Sequence, residues 1–142
     1  MLAKFYSIVY IPHIMVQKRG KIIPNGVLLE AHEYKTITTL ASAGLNIELI
    51  PKSNIPGVHS PDMKIGRTKW EMKSPKGKGR WLLENTLRGA LKQSENVIID
   101  LRRIQIPEQK CLHELEKQFC MFKRIKRLKI ITKAQQIIDY EK

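Results

Sequence analysis

At 142 residues, with 42% hydrophobic and 27% charged side chains, the chain has the size and composition of one globular domain, not a disordered tail. Its 26 Lys and Arg against 13 Asp and Glu leave a formal net charge of +13. That surplus favours a polyanionic partner: nucleic acid, an anionic membrane surface, or an acidic protein that masks the positive face. The two cysteines, Cys111 and Cys120, form no C-x-x-C pair and lie nine residues apart on one expected helix, facing different directions. Composition thus argues against a disulfide or structural-zinc scaffold.

The apolar run 5–11 is short, Pro12 and His13 interrupt it, and no small-residue cleavage site follows. Neither a membrane span nor a signal peptide is expected. Residues 1–27 read as one or two strands broken by Pro12, Gly20 and the turn Pro24-Asn25-Gly26. A helix is expected over about 28–43, ended by Gly44. Residues 45–50 alternate as a strand does, and 51–60 form a loop rich in Pro, Ser, Asn and Gly. Two strands, 62–65 and 68–73, flank Gly66-Arg67, a connection suited to a type II′ hairpin turn. A basic, glycine-rich loop (74–80) leads into a second helix over about 82–94. The apolar run 96–101 suits a strand buried on both faces. A third helix is expected over about 108–122, with Leu112, Leu115, Phe119 and Phe122 at helical spacing, and a last strand over about 128–132. The order between residues 28 and 101 is α-β-β-β-α-β, within a single domain spanning 1–142.

Folding the hairpin about Gly66-Arg67 pairs Ile65 with Thr68, Lys64 with Lys69, Met63 with Trp70 and Asp62 with Glu71. Met63, Ile65, Trp70 and Met72 then share an apolar face for the core. Asp62, Lys64, Lys69, Glu71 and Lys73 share the other. Asp62 and Glu71 become direct neighbours, with Cβ atoms roughly 5 Å apart. Two like charges so placed destabilise the hairpin unless a cation sits between them, and a hard divalent ion with oxygen ligands removes the penalty. Lys73 points to the same side, toward a phosphate oxygen or a nucleophilic water.

On the first helix, Leu29, Glu33, Ile37 and Leu40 fall in one stripe that should face the sheet. An acid inside an apolar stripe is costly unless paired or metal-bound, so Glu33 is the third candidate acid and Glu30, nearer the rim, is the reserve. The bland reading of the same residues is a solvated hairpin face on which Lys64 and Lys69 neutralise the acids. His32 reads as a surface histidine; His59, in the loop before Asp62, lies near enough to approach the site; His13 and His113 have no partner spacing. No Ser, Cys or His arrangement points to nucleophilic catalysis, and no glycine-rich loop opens a helix as a phosphate cradle would. Lys73, Lys76, Lys78 and Arg80 put four cations beside the carboxylates, a candidate contact with a nucleic-acid backbone together with Lys64 and Lys69. A second basic run, Lys123, Arg124, Lys126, Arg127 and Lys129, either extends that surface or is the exposed edge of the last strand.

These residues resemble the PD-(D/E)xK nuclease superfamily, whose α-β-β-β-α-β core carries a helix glutamate, Pro-Asp on one strand and Glu-x-Lys on the next. The resemblance spans about residues 28–101. More narrowly, His32-Glu33, Ser60-Pro61-Asp62, the stretch 70–75, Gln93-Ser94 and the stretch 96–100 resemble the C-terminal tRNA nuclease toxin domains of contact-dependent growth inhibition (CdiA-type) proteins. The resemblance implies a restriction-endonuclease-like α/β fold, a central mixed sheet flanked by helices, with N-terminal strands and a C-terminal helix-strand extension. It implies Asp62 and Glu71 as metal ligands, Glu33 holding the metal or its water, and Lys73 positioning the nucleophile or stabilising the transition state. Gln93, Ser74 and His59 are supporting candidates. The cofactor expected is a divalent metal, Mg²⁺ first because the ligands are all oxygens, with Mn²⁺ or Zn²⁺ as alternatives.

The implied activity is metal-dependent hydrolysis of RNA, tRNA first, in the bacterial cytoplasm (that of a target cell for a delivered toxin), with an acidic immunity protein as partner. Two alternatives stay open: a DNA endonuclease of the same fold from a restriction, repair or mobile-element setting, and a non-catalytic basic nucleic-acid-binding module. The chain departs from such a toxin domain in starting at Met1 without a large carrier, as an excised domain or a stand-alone relative would.

Overall fold

The α-β-β-β-α-β order is present inside a longer succession. The elements are β1 (Lys4–Val9), β2 (Ile22–Ile23), α1 (Ala31–Ser42), β3 (Ile47–Leu49), β4 (Met63–Ile65), β5 (Thr68–Lys73), α2 (Leu82–Ala90), β6 (Asn96–Asp100), α3 (Glu108–Met121), β7 (Arg127–Ile131) and β8 (Ile137–Glu141). The computed structural model describes residues 4–9 and 18–142, so the strand break expected at Pro12 and the placement of His13 lie outside the described residues. Eight strands form one sheet in the order β1-β8-β7-β6-β5-β4-β3-β2. β5, β6 and β7 run parallel, while β3, β4 and β5 form an antiparallel meander and β8 pairs antiparallel with β7 and β1.

Alternation along the central strands feeds two cores. Val97 and Ile99 of β6, with Leu128 and Ile130 of β7, pack against Leu83 and Leu87 of α2 and Leu115 and Phe119 of α3. Ile98 points the other way, to a core of Ile37 and Leu40 from α1 with Met63, Trp70 and Met72 from the hairpin. The sheet is therefore mixed and covered by helices on both faces, as expected, and the run 96–100 is buried on both sides for that reason.

Several boundaries differ from the sequence reading. α1 begins at Ala31, not at 28: Glu30 is its N-cap, and Leu28 stays 96% exposed. Glu30 and Glu33 close a reciprocal capping box there, which accounts for an acid so near the apolar stripe. α1 does end where Gly44 adopts a φ of +94°, the left-handed conformation common after a helix. α2 stops at Ala90, because Ser94 diverts the chain: its hydroxyl donates to the Lys69 carbonyl (2.9 Å) and accepts the Asn96 N–H (3.1 Å). Cys111 is buried and Cys120 exposed, both unbridged. The C-terminal extension is a helix and two strands, not one. β8 has no sequence signal because the turn before it, Lys133-Ala134-Gln135, contains no Gly, Pro, Asn or Asp; Gln135 takes the left-handed position (φ +65°) that glycine usually fills.

Candidate active site

The hairpin that carries the candidate acids has the expected register: Ile65 faces Thr68, Lys64 faces Lys69 and Met63 faces Trp70. Gly66 has a φ of +63° and Arg67 does not, the pattern of a type II′ turn. The register breaks just before β4. The simple opposition of Asp62 and Glu71 is replaced by a bend, in which the Asp62 N–H donates to the Trp70 carbonyl at 3.0 Å. Pro61 has no N–H with which to extend the ladder. The Asp62 carboxylate turns back across the hairpin instead. Its Oδ2 accepts the Met72 N–H (2.8 Å) and its Oδ1 accepts from Lys52 Nζ (2.9 Å).

Glu71, on β5, is only 4% exposed. Its Oε2 lies 3.4 Å from Lys73 Nζ, while Oε1 is covered and meets no N–H or hydroxyl donor among the described residues. Its pKa is pushed up from the usual 4.5 to about 7, first by burial, then by the charge of Asp62 and a hydrogen bond between the two carboxyls. The cations of Lys73 and Lys52 pull the other way and only partly offset this. A carboxyl so held sits on the edge of ionisation near neutrality, which is uncommon outside functional sites.

Asp62, Glu71, Lys73 and Lys52 line one cavity of about 310 Å³, closed by His32, Glu33, Thr36 and Ser74. Lys52 was not singled out by sequence, since a lone lysine in a loop carries no periodic or motif signal. Burial lowers its pKa, but the Asp62 hydrogen bond and the charges of Asp62, Glu71 and Glu33 outweigh that and leave it raised. Glu33 lines the cavity from the first turn of α1, with Oε1 accepting the Glu30 N–H at 2.9 Å. Glu30 itself is exposed and lies 3.5 Å from His32 Nδ1.

Other candidates are placed elsewhere. Lys64, Lys69 and His59 line a separate hollow together with Ser60 and Pro61. Gln93 meets His59 at 3.3 Å and does not line the carboxylate cavity, so these two form a contact of their own. Lys76, Lys78 and Arg80 are exposed on the loop after β5 and do not line the cavity either. That loop is tied rather than free: the Gly77 carbonyl accepts the Gln105 N–H (2.7 Å), and Arg80 stacks over Trp81.

Among the described residues no group of three His, Cys, Asp or Glu side chains is close enough to hold a metal, so Glu33 shares the cavity without joining the other two acids. What converges is a pair of carboxylates with one buried oxygen, Glu71 Oε1, that no N–H or hydroxyl donor reaches among the described residues. A hard cation such as Mg²⁺ is commonly held by one or two carboxylates, its other positions going to water and phosphate oxygens, and the pair fits that requirement. It does not supply the three or four protein ligands that zinc takes.

The family model for the contact-dependent growth inhibition CdiA C-terminal domain matches residues 59–137, more than half of the chain. That stretch holds Asp62, Glu71 and Lys73 and leaves α1 and Lys52 outside. In fold, the chain is similar to a chain of the CdiA-CT/CdiI toxin and immunity complex from Burkholderia pseudomallei, with a TM-score of 0.64 at 16% sequence identity, over 87% of this chain and 100% of that one. No curated protein matches. Among the described residues no helix is long and apolar enough to cross a membrane.

Proposed function

The chain belongs to the family of contact-dependent growth inhibition CdiA C-terminal domains, and on that premise we propose that it is a toxin domain that hydrolyses phosphodiester bonds in RNA, tRNA first, with Mg²⁺ as cofactor. The observation that carries the reading is the cavity in which Asp62 and Glu71 converge beside two lysines, one carboxylate oxygen being buried without a donor. A buried Glu71 carboxyl held beside a second acid gains little for the fold, so its value lies in what it binds. Asp62 and Glu71 would hold the metal. When bound, the ion supplies charge neutralisation at the scissile phosphate and a water of lowered pKa.

The chain's own groups do the rest. Lys52 and the Met72 N–H fix both oxygens of Asp62, so that carboxylate is oriented before any ligand arrives. Lys73 keeps Glu71 partly ionised and presents its ammonium to a phosphate oxygen in the same cavity. Support for RNA over DNA comes from the segments around residues 70–75 and 93–94 that resemble tRNA nuclease toxin domains. The structural neighbour belongs to a toxin and immunity complex. By analogy an acidic immunity protein is the partner proposed for this chain, whose charge of +13 it would mask. The site of action proposed is the cytoplasm of a target bacterium.

The test is incubation of the purified chain with tRNA and with plasmid, each with Mg²⁺ or with EDTA. The reading expects tRNA cut in Mg²⁺ alone. Plasmid cut while tRNA stays intact would reverse the substrate, and neither being cut would remove the nuclease.

A further inference from the structure

A second cleft, about 700 Å³ in volume, opens beside the carboxylate cavity and shares His32 and Ser74 with it. It lies where β5 and β6 end, at Ser74 and Asp100, with the β7–β8 turn at Gln135 on its far side. The carboxyl ends of parallel strands are where open α/β sheets place their ligands. Its volume falls in the range of small-molecule sites.

The charges in the cleft do not balance. Asp100 is 2% exposed and committed, accepting Thr36 Oγ1 at 2.6 Å and both Nε and Nη2 of Arg102. Arg102 is thereby neutralised, and the Thr36 bond ties α1 to the end of β6. Lys35 and Arg103 remain, with no ion pair among the described residues. Arg103 Nε is covered and has no hydrogen-bond partner, nor has Thr38 Oγ1 on the α1 wall. A covered Nε–H without an acceptor is costly, and a phosphate oxygen is the acceptor that a guanidinium suits best. Tyr34, one residue from Lys35, is 57% exposed at the same cleft. An exposed aromatic beside unpaired cations is the usual platform for an unstacked base.

We propose that this cleft is the subsite for an unpaired nucleotide flanking the cleaved bond, with Arg103 and Lys35 taking its phosphate and Tyr34 stacking its base. The inference rests on the nuclease reading and sharpens it: a cleft that takes one splayed nucleotide selects single-stranded loops and ends over duplex RNA.

Binding can be read without cleavage, using Asp62→Asn protein in EDTA with a labelled single-stranded RNA octamer and with an RNA duplex of equal length. The octamer is expected to bind more tightly than the duplex. Adding Arg103→Gln should weaken octamer binding about tenfold and lower the salt slope by about one. Adding Tyr34→Ala should weaken it about tenfold with the slope unchanged, while Tyr34→Phe retains it. Octamer affinity unmoved by Arg103→Gln and Tyr34→Ala, or an octamer bound no better than duplex, would overturn the proposal. Should Arg103→Gln fail to fold, the Tyr34 pair on the helix surface still decides. Because the assay needs no turnover, a parent chain unable to cut RNA would sink the nuclease reading separately from this one.

Discussion

Glu71 is where the fold and the proposed chemistry pull in opposite directions. Its pKa in the folded chain is about 7 against an ordinary 4.5, so the native state binds the proton more tightly than the unfolded chain does. The cost of ionising it is absent below about pH 4.5, grows as pH rises, and is complete above about 7, reaching roughly 3 kcal/mol. In metal-free protein, Glu71→Gln should therefore raise the melting temperature by several degrees at pH 8. The gain should shrink toward zero at pH 5, and thermal unfolding in EDTA at the two values measures it. An equal gain at both would mean that ionisation is not the cause. Lys52 poses the reverse case. The Lys52 end of its ion pair with Asp62 is exposed, and Asp62 keeps the Met72 N–H, so the pair is worth little to the fold. Lys52→Ala should leave the urea midpoint nearly unchanged while costing about 10- to 100-fold in Mg²⁺ affinity or turnover, as expected for a group that orients a ligand. At this scale the sequence was readable where local rules apply. Gly66-Arg67 dictated the register, and alternation put Glu71 and Lys73 on one side. It was not readable at Asp62, where Pro61 breaks the ladder, nor at Lys52, which reaches the site only through the path of a loop.

Among the elements, α1 is held to the sheet partly by a polar link through the core, Thr36 to Asp100 to Arg102. Thr36→Val keeps the shape and removes one donor from a buried carboxylate. It should cost about 1–3 kcal/mol in denaturant unfolding, more than a surface substitution on the same helix. A loss under 0.5 kcal/mol would mean that Arg102 alone satisfies Asp100. This link explains why an aspartate can end an otherwise apolar strand, which the sequence presents only as a run of hydrophobic residues. Strands and helices with clear periodicity were legible, including the two-faced β6. Those that depend on one side chain were not: α2 ends early through the Ser94 hydroxyl, and β8 follows a turn whose left-handed residue is a glutamine.

Over the whole molecule, a charge of +13 on 142 residues makes association with a polyanion strongly salt-dependent. The apparent affinity for tRNA should fall steeply between 50 and 200 mM salt, by roughly 100-fold or more if several phosphates are contacted. A flat response would put recognition on contacts other than the backbone. The α-β-β-β-α-β order gave the architecture, and the pairing of acids pointed to the cavity proposed as the site. The adjoining cleft had no sequence signature, because Tyr34, Ser74, Arg103 and Gln135 come together only once α1, β5, β6 and the last hairpin are assembled. The most direct test of the central claim, that Asp62 and Glu71 form a metal-dependent RNA-cleaving site, is the rate of tRNA cleavage in Mg²⁺ by Asp62→Asn beside the parent chain. Removing several kcal/mol of transition-state stabilisation predicts a loss of roughly 100- to 1000-fold with tRNA binding retained; a variant that cleaves as fast as the parent would contradict it.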